Sequence, residues 1–78
     1  MSDWKKVGLS TYDLLNTKAS RVQVWAVQVY LAGDLPWRWC AELRGKGWWR
    51  SEGGARPNLR SAQRAAERAL ARLTRRRP

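Results

Sequence analysis

The stretch that decides the fold is residues 37 to 51, which read Trp37-Arg38-Trp39-Cys40-Ala41-Glu42-Leu43-Arg44-Gly45-Lys46-Gly47-Trp48-Trp49-Arg50-Ser51. The first eight residues alternate with a period of two, which is typical of a half-buried β-strand because successive side chains point to opposite faces. We expect Trp37, Trp39, Ala41 and Leu43 to face the core, and Arg38, Cys40, Glu42 and Arg44 to face solvent. Gly45-Lys46-Gly47 then predicts a tight connection to another strand over residues 48 to 51.

The residues before this hairpin predict a third strand and a less regular N-terminus. Residues 21 to 31 are dense in Val, Trp and Tyr, which is strand composition, and residues 33 to 36 read as a turn. The connections are too short for a parallel crossover, so the three strands are expected to form an antiparallel meander. Ser10 and Asp13 read as a capping box for a possible short N-terminal helix with Tyr12 and Leu15 buried, and residues 1 to 8 as a flexible arm.

The residues after the hairpin predict a break at 53 to 57 and then a long helix. It is expected to begin between Asn58 and Ser61 and to end near Arg75. Its apolar stripe at helical spacing consists of Leu59, Ala62, Ala66, Ala69, Leu70 and Leu73. We therefore expect an α+β protein with one domain over residues 9 to 75, in which a three-stranded antiparallel β-meander packs against a C-terminal α-helix, and a tail at 76 to 78.

Charge is the strongest bulk signal in the composition. Sixteen Lys and Arg against six Asp and Glu give a net charge of +10, which favours a polyanionic partner. Cys40 is the single cysteine, so no internal disulfide is possible and a reducing cytoplasm is the expected location. The longest apolar stretch is far shorter than the roughly 20 residues that span a bilayer, so no membrane partner is expected.

The sequence predicts a protein that is not an enzyme. It has no histidine, which is the usual general base and the commonest metal ligand. Cys40 lies in the middle of a predicted strand with no candidate base, and the glycine clusters do not match a phosphate-cradling nucleotide loop. We expect no catalytic residue, cofactor, metal site or small-molecule substrate.

Arginines recur every fourth residue through the predicted helix, at Arg56, Arg60, Arg64, Arg68, Arg72 and Arg76. Side chains four apart on a helix are neighbours, and like charges at this spacing are destabilising. The pattern therefore favours phosphate contacts from Arg60, Arg64 and Arg68, with Arg56 beside them. The alternative is a solvated helix face in a chain with a general bias toward Arg.

A second candidate surface comes from the sheet. If Trp49 is in the core, alternation puts Trp48 and Arg50 on the open face, beside Arg38 and Arg44. An exposed Trp flanked by Arg is a stacking platform for bases and is also a good anchor for a protein interface.

Two families resemble this chain. The stretch Ala65-Ala66-Glu67-Arg68-Ala69-Leu70-Ala71-Arg72-Leu73 resembles the last helix of the double-stranded RNA-binding domain, with Arg56 and Arg60 near the position of that family's paired lysines. The stretch Trp39 to Arg44, followed by Trp48-Trp49 and the Ala-rich helix, is similar to DNA-binding domains of the AP2 and integrase arm-binding types. The first resemblance implies phosphate binding by the helix, and the second implies DNA binding by the open sheet face.

Two functions remain open from the sequence. The first is a nucleic-acid-binding module for DNA or RNA. The second is an inhibitor or adaptor from a phage or mobile element that docks on a host nucleoprotein complex, such as a CRISPR effector, or on an acidic protein surface.

Overall fold

The computed structural model describes residues 4–15, 20–27 and 36–75. These residues contain five antiparallel strands and one helix. In chain order they are β1 (Trp4–Lys6), β2 (Thr11–Leu14), β3 (Ser20–Ala26), β4 (Trp37–Gly45), β5 (Trp48–Arg56) and α1 (Leu59–Arg75). The strands lie in the sheet in the order β1-β2-β3-β4-β5. The α+β class, the antiparallel meander and the C-terminal helix are confirmed, and the sheet has five strands rather than three.

The N-terminal segment extends the sheet instead of forming the expected short helix. Tyr12 pairs with Val24 of β3 on one side and with Lys6 of β1 on the other. A helix of six or seven residues is marginal in water, whereas a strand at this place gains two ladders of hydrogen bonds. Leu15, expected to be buried, is 43% exposed. The region interpreted as a flexible arm contains β1.

The hairpin of β4 and β5 is longer than the sequence indicated. Its loop is Lys46-Gly47, with Gly47 at φ +80°, and the paired residues run from Gly45 opposite Trp48 to Trp37 opposite Arg56. Gly54 lies inside β5, where the Trp39 indole occupies the space that a side chain would fill. The expected break at 53 to 57 was therefore wrong for 53 to 56, because these glycines admit a neighbouring ring without ending the strand.

The core lies between α1 and the face of the sheet that carries Val22, Val24, Trp39 and Ala41. The cross-strand pairs of these residues are Val22 with Ala41 and Val24 with Trp39, so all four side chains share one face. The helix contributes small residues to this layer, namely Ala62, Ala65, Ala66 and Ala69, with Leu73 at its end. Alanine lets the helix axis approach the sheet closely, and the large indole of Trp39 fills the volume that remains.

The beginning of α1 is fixed by its capping residue. The Asn58 side-chain oxygen accepts a hydrogen bond of 2.8 Å from the backbone N–H of Ser61, as expected for an N-cap. The predicted bounds of the helix are confirmed. The end of the predicted strand at 28 to 31, most of the turn at 33 to 36 and the tail at 76 to 78 lie outside the described residues.

Candidate functional site

The arginines of α1 form a stripe that turns around the helix axis. Four residues advance an α-helix by slightly more than one turn, so each successive Arg is displaced by about 40°. The stripe starts at Arg60, which lies on the outer side of the helix, and drifts toward β5, where Arg72 reaches Glu52. Arg60, Arg64, Arg68 and Arg72 are all exposed. The helix therefore presents its cations along the boundary with β5.

An open groove of about 360 Å³ lies at this boundary. Its walls come from the end of β5 and from the first half of α1, and its lining residues are Arg56, Asn58, Arg60, Ser61, Arg64, Ala65 and Arg68. The last residue of β5 thus joins three arginines of the helix around one depression. We refer to this depression as the arginine groove. The groove brings together the four arginines that recur every fourth residue, namely Arg56, Arg60, Arg64 and Arg68.

The acidic residues near α1 are engaged elsewhere. The Glu52 carboxylate accepts a hydrogen bond of 2.7 Å from Arg72, and this bond raises the pKa of the Arg72 guanidinium above its ordinary value. The Glu67 carboxylate accepts a bond of 2.7 Å from the Trp4 indole on the opposite side of the helix. Across residues 4–15, 20–27 and 36–75, Arg72 makes the one ion pair found. The groove arginines have no ionic partner within those residues.

A smaller depression of about 260 Å³ lies on the Glu67 side of the helix, lined by Trp4, Arg60, Gln63, Arg64 and Glu67. The negative charge of Glu67 partly offsets the positive charges of Arg60 and Arg64 in this depression. This side is therefore less suited to an anion than the arginine groove.

The open face of the sheet differs from the expected one by a shift of one residue after the turn. A turn that includes Gly45, as the sequence predicts, would align Trp48 with Arg44. In the structure Gly45 is part of β4, so it is Trp49 that pairs with Arg44. A shift of one residue in register moves every following side chain to the other face.

The consequence is that the expected second surface is divided. Arg38 and Arg44 lie on the open face as expected, but Trp48 and Arg50 lie on the face that carries α1. The Trp48 indole covers Gly45, and Trp49, which was expected in the core, is 55% exposed on the open face. The indole N–H of Trp49 donates to Glu42 over 3.3 Å.

The open face also carries residues outside the predicted second surface. Trp25 pairs with Arg38 across β3 and β4, and Arg21 pairs with Glu42. Lys5 is opposite Asp13, whose carboxylate accepts a 2.8 Å bond from Gln23. The strand composition of residues 21 to 31 indicated a strand, but no local signal fixed its alignment with β4. The open face thus mixes cations with carboxylates, in contrast to the arginine groove.

Cys40 lies on this open face, next to Gln23 and Gly53 of the flanking strands. Burial, together with the nearby Glu42 carboxylate, raises the pKa of the Cys40 thiol above 9.0, so the thiol is protonated at neutral pH. A protonated thiol is a poor nucleophile.

Among the residues that the structure describes, no three His, Cys, Asp or Glu side chains come together as a metal site. The described helix is too short and too polar to cross a membrane. Comparisons with protein-family models, curated proteins and solved structures find no match to this chain.

Proposed function

We propose that this protein binds nucleic acid, and that the arginine groove holds the phosphates of the backbone. The observation that carries the proposal is the convergence of Arg56, Arg60, Arg64 and Arg68 on one open groove. Arg presents a planar fork of donors that matches phosphate oxygens, so this residue type suits the task better than Lys.

The energetics of the helix support an anionic partner. Arg60, Arg64, Arg68 and Arg72 form three like-charged pairs at four-residue spacing, which together cost about 1 kcal/mol on an isolated helix. The Arg72–Glu52 pair relieves the last of them. A backbone with regularly spaced phosphates relieves the others, and it releases its own counterions as it binds.

The groove is suited to positioning rather than to base recognition. It is open and lined by guanidinium groups, and the described aromatic side chains are absent from its lining. Contacts to phosphate carry no sequence information directly. We therefore expect affinity for DNA and RNA with little dependence on base sequence.

The experiment is a salt titration of binding to labelled duplex DNA, duplex RNA and single strands. Each phosphate contact to B-DNA contributes about 0.9 to the slope of log K against log salt, so four arginines predict a slope near −3.6. Changing Arg60, Arg64 and Arg68 together to Gln should make this slope shallower by about 2.7.

The matched control is the triple change of Arg21, Arg38 and Arg44 to Gln on the open face. It removes the same charge from the other side of the sheet, so the slope should change far less. A larger loss in the control than in the groove variant would contradict the proposal and favour the open face. An acidic protein that carries no phosphate is the second control. If its affinity equals that of every nucleic acid, a protein partner is favoured instead.

A further inference from the structure

The two outer strands of the sheet differ in how well they are protected against pairing. β1 has three residues, of which two are Lys5 and Lys6, and short, lysine-bearing edge strands resist pairing with another chain. β5 has nine residues and a central run, 51 to 55, of Ser, Glu, Gly, Gly and Ala. This strand lies at the other end of the sheet, and no other described strand pairs with its outer edge. β5 is therefore the edge at which a further strand can be added.

We propose that β5 pairs antiparallel with β5 of a second copy of this chain, with Ser51 on the twofold axis. This pairing would join two five-stranded sheets into one continuous sheet. The proposal concerns self-association and does not rest on nucleic-acid binding.

Backbone geometry permits this alignment. The two-residue loop makes Gly45 and Trp48 the ends of a β-turn, in which the Trp48 N–H bonds to the Gly45 carbonyl. Bonding alternates along an antiparallel pair, so residues 50, 52 and 54 also bond to β4, while 49, 51, 53 and 55 direct their backbone groups outward. A twofold axis at Ser51 places these outward residues opposite one another.

The side chains favour this alignment over its neighbours. With Ser51 on the axis, Arg50 of each copy lies opposite Glu52 of the other. These are the closely spaced, non-hydrogen-bonded positions, where opposite charges stabilise a sheet most. An axis at Glu52 would oppose two carboxylates, and an axis at Gly53 would oppose Arg50 to Arg56.

Trp49 is complementary to Gly53 in the same alignment. Trp49 of one copy lies opposite Gly53 of the other on the open face. A large aromatic ring beside a glycine shields the backbone that the glycine leaves bare. This aromatic–glycine contact occurs twice in the dimer.

The dimer would also carry two copies of the arginine groove. The two copies of α1 would lie on the same face of the joined sheet. The copies of β4 beneath them would be about 14 Å apart, which is three strand spacings. Arg56 lies five residues from the axis, so its two copies would be about 34 Å apart along the strands and the two arginine grooves would lie at opposite ends of the β5 pair. The dimer would therefore present two separate phosphate sites on one face; their role depends on the proposed function, whereas the strand pairing does not.

Disulfide trapping tests the pairing in nuclease-treated protein at about 0.15 M ionic strength, where long-range repulsion between copies is screened. In a Cys40→Ser background, Ser51→Cys places two thiols on the axis. Paired residues have Cα atoms about 5.5 Å apart, which is within the range of a disulfide. We expect a covalent dimer to form roughly tenfold or more faster than by random collision.

Two cysteine controls measure the rate of dimer formation by random collision and test the register of the paired strands. Ser10→Cys places an exposed thiol far from β5 and gives the collision rate. Ala55→Cys lies on the same strand, but in the proposed alignment its two copies are roughly 27 Å apart. Equal rates of dimer formation for Ser51→Cys and Ser10→Cys would overturn the proposal, and faster trapping at Ala55 than at Ser51 would overturn the register.

Charge reversal provides an independent check in the Ser51→Cys protein. Arg50→Glu alone opposes two carboxylates, and Glu52→Arg alone opposes two guanidinium groups, so each should slow trapping. Glu52→Arg also breaks the Arg72–Glu52 bond, so the double reversal, which restores opposite charges between the strands, should trap faster than Glu52→Arg alone. A double variant as slow as the slower single variant would contradict the pairing.

Discussion

The contact between Trp4 and Glu67 gives the sharpest test of how β1 is held. The Trp4 indole N–H donates to the Glu67 carboxylate over 2.7 Å in a half-buried setting, across 63 residues of sequence. Hydrogen bonds to a charged group contribute about 1.5–3 kcal/mol, and partial exposure places this one near 1.5 kcal/mol. For a domain of this size, that loss lowers Tm by about 6–12 °C.

A double-mutant cycle isolates this bond from the packing of the indole. Trp4→Phe removes the donor and Glu67→Met removes the acceptor, so the two effects should overlap by about 1.5 kcal/mol in urea denaturation. Glu67→Gln keeps a neutral acceptor and should retain about half of the coupling. Gln63→Met is the control on the same side of the helix, one turn earlier, and should combine additively with Trp4→Phe. Additive effects for Trp4→Phe and Glu67→Met would refute the assigned role of the bond.

Three further predictions concern the core, the thiol and the helix cap. Gly54→Ala should destabilise the fold by about 1–2 kcal/mol in urea denaturation, because the new Cβ would lie 2.9 Å from the Trp39 indole nitrogen; unchanged stability would contradict the close packing. The folded-state pKa of Cys40 is raised, so the thiol adds to the free energy of unfolding at pH values below its unfolded-state pKa. This contribution is lost as pH rises through the folded-state pKa. Thermal denaturation between about pH 8 and pH 11 should therefore show a steeper loss of Tm in the wild type than in Cys40→Ser, and parallel curves would exclude this linkage. Asn58→Ala should cost about 0.5–2 kcal/mol in thermal denaturation by removing the acceptor for the Ser61 N–H, and no loss would show that the cap is dispensable.

The elements with a strong period were predictable from the sequence. The alternation of residues 37 to 44 placed Trp39 and Ala41 in the core, and both are buried. The helical stripe gave α1 its correct bounds, and the structure adds that Asn58 is the N-cap. The four-residue spacing also predicted that Arg60, Arg64 and Arg68 lie on the same side of the helix, because that relation depends only on helix geometry.

The errors arose where long-range packing decides between local alternatives. Ser10 and Asp13 fit a capping box locally, but pairing with β3 makes that segment a strand. Gly53 and Gly54 resemble a break until the position of the Trp39 ring is known. The exposure of Trp49 depended on whether Gly45 belongs to the turn or to β4, which a pattern of alternation does not contain.

The placement of the helix after all five strands affects the order in which the fold is completed during synthesis. The sheet precedes α1 along the chain, and within residues 4–15, 20–27 and 36–75 it is this helix that covers its apolar face. Ribosomes add about 5–20 residues per second, so the seventeen residues of α1 take roughly 1–3 s to make. Hairpins form in about 1–10 μs, which is far faster than synthesis, so strands that leave the ribosome before α1 can pair while Val22, Val24 and Trp39 are still bare. Nascent chains are therefore most prone to aggregation in this interval, which ends only when the alanine face of α1 arrives.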